Sequence, residues 1–272
     1  MIQRVKMPLR RRVAIIVLIV FGLIAMYYGV SVGIGSATVE TQQVIAHRGG
    51  AAHGPENTMA AFEQAVRDGA DWIEFDVRMS SDGELVVMHD PTVDRTTDGS
   101  GTVAALTLAE LEALDAGNGQ HVPTFAQVVT FAKSAGVGIL PEAKAPNIEA
   151  AMVETIRQHG YEDRTIIQSF DPATLQTLHR LAPEIQLCAV YGQGVLRLPA
   201  DQPGDARFVC PMAEMVIINP GMIRSAHATG REVLVWFGAL ESRLFMRTVL
   251  ALGADGVIVD DPRTIRAMVE EG

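Results

Sequence analysis

No charged side chain occurs between positions 13 and 35, and no lysine or arginine between 13 and 47, in a chain of 272 residues. An uncharged run of that length can span a membrane, which takes about 20 apolar residues. Arg4, Lys6, Arg10, Arg11 and Arg12 stand ahead of it. The positive-inside bias therefore makes residues 1–12 a basic cytoplasmic tail, 13–35 a transmembrane helix, and carries the rest to the far side. GIGSATVE would also offer small residues to a signal peptidase. Signal cores usually run about 7 to 15 residues, which favours the uncleaved anchor.

Basic residues are scarce beyond the anchor: 17 of the 22 remain against all 32 acidic ones, a net charge of −15 for the exported part. That excess argues against binding nucleic acid or lying flat on anionic lipid, and suits a cation site. Cysteine is nearly absent. Cys188 and Cys210 stand in IQLCAVY and RFVCPM, which read as core strands; they either pair in an oxidising compartment or stay as buried thiols. No repeat or low-complexity run divides the roughly 235 residues after the anchor, a length typical of one α/β barrel.

Short β-branched runs do recur, at 44–46, 72–77, 137–142, 164–170, 185–190, 206–211, 232–237 and 256–261. Helical patterns separate most of them, including TMAAFEQAVRDG with Asn57 as its expected N-cap, FAQVVTFAKSAG and PATLQTLHRLAP. Only the stretch after residue 190 lacks a clear helix. Eight strands alternating with helices predict a (β/α)8 TIM-type barrel over 44–272, joined to the anchor by a linker at 36–43. ELVVMH, 84–89, follows the second strand after only SSDG, too short for a parallel crossover. It reads as an antiparallel return that brings His89 beside Asp76. Residues 90–123, with a short helix in LTLAELEAL, form a small insertion after the second strand.

Functional groups of such barrels gather at the C-terminal strand ends. Glu74 and Asp76 are two apart in one strand and so share a face, with Ile73, Phe75 and Val77 on the other. Together with Glu142 they make a hard-oxygen ligand set for Mg2+ or Ca2+, which would relieve their repulsion. The competing expectation pairs them structurally with Arg48 and Lys144. His47 and His89 end strands beside the acids and can act as general acid and base. His53, His121, His159, His179 and His227 read as packed or surface residues. Arg48 and Lys144 supply fixed charge for a phosphate. Trp236 reads equally as substrate wall or packing, and Glu56 as an orienting residue. Asn57 reads as a cap first and also as a supporting residue whose helix N-terminus faces the phosphate. Phe170 and Phe237 read as lining or core, and Asp94, Arg95 and Asp98 as braces of the insertion. Metal, two imidazoles and two cations describe phosphoryl transfer.

IAHRGG, PENTMAAF, DGADWIEFDVRMSSDGELVVMHDPTVDRTTDGSG, PEAK, SFD and GVIVDDP, in that order across most of residues 44–265, resemble the glycerophosphodiester phosphodiesterases. The resemblance implies a barrel with a small insertion, a divalent ion held by Glu74, Asp76 and Glu142, an acid/base pair at His47 and His89, and phosphate contacts from Arg48 and Lys144. It further implies hydrolysis of glycerophosphodiesters to sn-glycerol 3-phosphate and an alcohol, by way of a cyclic phosphate formed by the neighbouring hydroxyl. Pro141, where family members carry an apolar residue, and the membrane segment depart from the family pattern. Tethering keeps a lysophospholipase D in view. A non-catalytic binding protein would have lost a histidine or a carboxylate, and none is lost. A barrel that stabilises an enolate on Mg2+ would need a lysine base beyond Lys144.

Overall fold

The computed structural model describes residues 43–270; the expected tail, anchor and nearly all of the linker lie outside them. Strands β1 (Gln43–Ala46), β2 (Trp72–Met79), β3 (Leu85–Val87), β4 (Gly138–Ala143), β5 (Ile166–Ser169), β6 (Gln186–Tyr191), β7 (Phe208–Pro211), β8 (Glu232–Trp236) and β9 (Gly256–Val259) form one sheet. All but β3 are parallel, in the order β1-β9-β8-β7-β6-β5-β4-β2, and pairing of β1 with β2 closes the ring. The eight expected runs are the eight barrel strands. Among the described residues no helix is long and apolar enough to cross a membrane.

The strands are buried on both faces, which their near-continuous apolar character requires. Ile45, Leu140, Ile166, Cys188, Val190, Phe208, Cys210, Leu234 and Ile258 fill the interior. The alternate residues, among them Ile73, Phe75, Val209 and Val257, pack outward. At the closed end Trp72 lies opposite Gly138 in register, and a Cβ on Gly138 would fall 2.1 Å from the indole ring. Only glycine lets Trp72 plug that end. Cys188 and Cys210, on neighbouring strands, are joined in a disulfide.

Around the ring run α1 (Met59–Arg67), α2 (Leu108–Glu112), α3 (Phe125–Ala135), α4 (Glu149–His159), α5 (Pro172–Leu181), α6 (Ala213–Ile218), α7 (Gly221–His227), α8 (Arg243–Ala251) and α9 (Pro262–Glu270). Phe62 of α1 meets Phe75 edge-on at 5.7 Å, and Phe75 meets Phe125 of α3 at 5.8 Å. The N-cap of α1 is Thr58, whose hydroxyl accepts from Ala61 N, and not Asn57. Asn57 sits at φ 59 with its amide drawn into the barrel mouth. The stretch after β6 holds only a short 3-10 turn at Pro203–Asp205, as its composition suggests.

β2 overshoots the barrel, and β3 returns against it with Val77 opposite Val87 and Met79 opposite Leu85. The return is antiparallel, as the short SSDG turn requires. Between β3 and α3 the insertion packs Val93, Val103, Leu111, Ala116 and Val122 on Val86 and Met88, a small core of its own over the mouth.

Candidate active site

Glu74, Asp76 and Glu142 rise from β2 and β4, where Asp76 and Glu142 are register partners. Their carboxylate oxygens lie within 4.8 Å of one another, and the residues are 2%, 1% and 7% exposed. Pro141 leaves this arrangement in place: it pairs with Phe75 inside β4 and Glu142 still joins the cluster. Glu74 accepts from Gln168 Nε2 at 2.8 Å and from Arg48 N at 2.8 Å, and Asp76 accepts from Asn57 Nδ2 at 2.9 Å. Burial, then the charge of Asp76, pushes both Glu74 and Glu142 well above the ordinary carboxyl range. Lys144 Nζ stands 3.1 Å from Glu142 and 3.6 Å from Asp76, and Arg48 Nε 3.6 Å from Asp76. Lys144 opposes that rise at Glu142 without cancelling it. Three buried hard oxygen donors crowded this closely fit a divalent cation, which would relieve the repulsion among them.

His47 and Arg48 follow β1 in a turn that the sequence makes possible. Arg48 is at φ 50, Gly49 at φ 83 and Gly50 at φ 82. A Cβ on Gly49 would press on Phe62 at 2.8 Å, so the turn both needs glycine's left-handed freedom and lies against α1. It aims Arg48 N at Glu74 and sets the His47 ring toward β9, where Nδ1 donates to Asp260 Oδ1 at 2.7 Å. Burial works against protonation of His47, but the Asp260 bond and the charge of Glu74 outweigh it and carry the imidazole up to about 9.

His89 reaches the mouth from the end of the hairpin. Met88 N bonds Asp76 O, and Arg78 donates to the His89 carbonyl through Nε at 3.0 Å and Nη2 at 2.6 Å. His89 Nδ1 donates to Asp90 Oδ1 at 2.6 Å. Asp90 in turn accepts from Arg95, whose terminal nitrogens hold both oxygens of Glu56, itself a partner of Arg48. Burial, with Arg48 and Lys144 nearby, keeps His89 below its ordinary value against the pull of Asp76 and Asp90. The two histidines are thus built alike and shifted in opposite directions.

These groups border a cavity of about 120 Å3, with Gln168, Val190, Ile258, Phe170 and Trp236 completing the wall. Trp236 is wall and packing residue at once: it faces the cavity, donates to Tyr191 O at 3.2 Å, and meets Phe170 edge-on at 6.2 Å. Phe237 is core, and Phe170 is 48% exposed at the rim. A groove of about 900 Å3 beside α1 and α3 is larger but contains none of these residues. All ten expected site residues therefore converge at the mouth or directly support a group there. Asp260, Asp90, Gln168 and Arg78 complete the site without having been singled out. The signal available for the aspartates was position alone: each follows a strand end, in VIVDD and VMHD.

Residues 47–264 match the Glycerophosphoryl diester phosphodiesterase family. The chain belongs to that family. It is 34% identical over 248 residues to a glycerophosphodiester phosphodiesterase of Caldanaerobacter subterraneus, covering 84% of this chain and 98% of that protein. A glycerophosphodiester phosphodiesterase of Bacillus altitudinis is 33% identical over 81% of this chain and 95% of its own length. Among solved structures, an Oleispira antarctica phosphodiesterase in complex with the product sn-glycerol-3-phosphate superposes with a TM-score of 0.76 at 28% identity, covering 85% of this chain and 98% of that one.

Proposed function

We propose that this phosphodiesterase hydrolyses water-soluble glycerophosphodiesters to sn-glycerol 3-phosphate and an alcohol, with a Mg2+ or Ca2+ ion held by Glu74, Asp76 and Glu142. The observation that carries the reading is the pair of imidazoles, each backed by a carboxylate, on either side of a buried acid cluster with Arg48 and Lys144 at its edge. When bound, the cation neutralises charge on the phosphate oxygens. Arg48 and Lys144 orient the phosphate. His89, held neutral, takes the proton of the attacking hydroxyl as its oxygen bonds to phosphorus. His47, held protonated, gives its proton to the departing alcohol oxygen as the other P–O bond breaks, leaving a cyclic phosphate. Water then bonds to phosphorus as the new ring P–O bond breaks, and its proton passes to that ring oxygen through the imidazoles. This gives glycerol 3-phosphate and returns both histidines to their starting states. Asp90 and Asp260 keep each ring turned so that Nε2 is left for the proton transfer.

We further propose that the domain lies outside the cytoplasm, tethered through residues 13–35. The Cys188–Cys210 bond supports that placement, since disulfides persist in oxidising compartments.

The test is release of glycerol 3-phosphate by the full-length chain from glycerophosphocholine and glycerophosphoethanolamine, with Mg2+, Ca2+ or excess chelator. Metal-dependent release supports the reading. Cleavage of a lysophospholipid alone would replace it with lysophospholipase D, and binding of the diesters without turnover would replace it with a carrier.

A further inference from the structure

Asp260 has one side chain and a large task. Its carboxylate is 44% exposed, yet it must hold His47 Nδ1 at 2.7 Å. An exposed carboxylate keeps such a place only if its backbone is fixed. The backbone here is fixed from the next loop. Glu241, between β8 and α8, accepts from Asp260 N through Oε2 at 2.9 Å and from Asp261 N through Oε1 at 3.0 Å. The same turn is held on its other side by Ala52 N, which donates to Asp260 O at 3.1 Å. Asp261 then caps α9, accepting from Thr264 N at 3.1 Å, and accepts from His53 Nε2 at 2.9 Å.

Glu241 is itself braced. Glu214 of α6 accepts from Ala239 N at 2.8 Å and Leu240 N at 3.1 Å, which fixes the loop that carries Glu241. Three carboxylates, Asp260, Glu241 and Glu214, therefore stand in series behind one imidazole. Burial, and the like charge of Asp260, push the Glu241 carboxyl above its ordinary value. The position is held against that cost.

We propose that Glu241 is a positioning residue for His47, acting through the backbone of Asp260 without touching the substrate. The proposal rests on the role given to His47 under the proposed function. Glutamine at 241 keeps the length but replaces one acceptor oxygen with an NH2 that faces a backbone N–H. The turn then loses half of its clamp and the Asp260 carboxylate loosens.

The experiment compares the full-length chain with E241Q, D260N and the double variant, in mild detergent. E241Q is expected to lower kcat about tenfold, in line with other residues that hold a catalytic group in place, while KM for glycerophosphocholine stays near that of the parent. Because both changes act along one path, the double variant is expected to be no slower than D260N by more than about twofold. The downfield proton resonance of His47 Nδ1 in the bond to Asp260 is expected to weaken or shift in E241Q, while that of His89 does not. An unchanged kcat with an unchanged His47 resonance would overturn the proposal, even if the melting temperature fell. So would losses that multiply in the double variant. Should the parent release no glycerol 3-phosphate, the functional reading fails, and the His47 resonance alone still decides the role of Glu241.

Discussion

Arg95 donates through Nε to Asp90 Oδ2 at 2.5 Å, which sets a side chain of the insertion directly behind the carboxylate that orients His89. Its other two nitrogens grip Glu56, each at 2.8 Å, and Glu56 accepts from Arg48. One planar fork thus ties a proton-transfer group to a phosphate-binding group. Lysine carries the charge without the fork. R95K is therefore expected to lower kcat/KM about tenfold, with R95A no more than slightly worse. Steady-state kinetics on glycerophosphocholine check this; full activity in R95K would mean that charge alone suffices.

Asn57 offers a cleaner separation of backbone and side chain. At φ 59 it occupies a conformation that glycine accepts freely and alanine does not. Its amide is also a donor to a buried Asp76 oxygen. N57G keeps the backbone conformation but removes both bonds that the amide makes with Asp76, the donation to its carboxylate and the longer acceptance from its N–H, at about 1 to 3 kcal/mol. N57A adds about 1 kcal/mol of backbone strain. Urea unfolding of both variants in chelator should rank them parent, N57G, N57A, and equal stability of the two variants would remove the backbone share.

Metal removal should show itself as a pH effect on stability. A carboxyl whose folded pKa lies above its unfolded value holds extra protons in the folded state, so stability falls as pH rises between the two. Glu74 is carried from 4.5 up to about 8, which sets that window. His47, carried from 6.5 to about 9, acts in the same sense over the upper part, and His89 in the opposite one. Melting temperature in chelator is expected to drop from about pH 5 to about pH 8. Added Mg2+ or Ca2+ should raise it, and more at the higher pH because only ionised carboxylates bind. A metal gain equal at both pH values would count against ligation by these residues.

The two histidines should separate when the leaving group no longer needs a proton. With a nitrophenol in place of the alcohol, H47A is expected to recover most of the rate it loses on glycerophosphocholine. H89A, lacking the base, should stay slow on both. The reverse pattern would exchange the two roles.

Cys188 and Cys210 close a loop with a sequence separation of 22. Chain-entropy arguments give such a crosslink about 3 kcal/mol. Protein produced through export should titrate no free thiol after unfolding without reductant. The reduced form should unfold at lower urea by a corresponding amount. Free thiols in exported protein would instead place both cysteines in the core unpaired.

The barrel was legible because each strand is a short β-branched run and the helices repeat between them; the hairpin was legible because four residues permit no crossover. Local pattern carried that much. Asn57 was read as a cap because asparagine before a helix usually is one, whereas a carboxylate 19 residues on, folded alongside, drew its amide away. Thr58 took the capping role. Arg95 was expected to brace the insertion, and its reach to Glu56 spans 39 residues of sequence that no period encodes. Asp260 meets His47 across 213 residues. That bond exists only because the ring of strands closes where the first and last meet, a fact of topology with no local trace in either segment.

The closed end of the barrel has a consequence of its own. β1 begins there, where Gln43 N bonds Asp255 O, and the mouth lies at the opposite pole. Under the tethered reading, residues 36–42 reach at most about 25 Å when fully drawn out. A domain of this chain length is roughly 40 Å across. On that reading the leash would be too short to let the catalyst turn over and face the surface that holds it. It would stand like a lamp on a short stem, floor to the bilayer and opening to the open fluid. Lipids of its own membrane would pass beneath it, and the diesters it meets would be those that diffuse in from beyond.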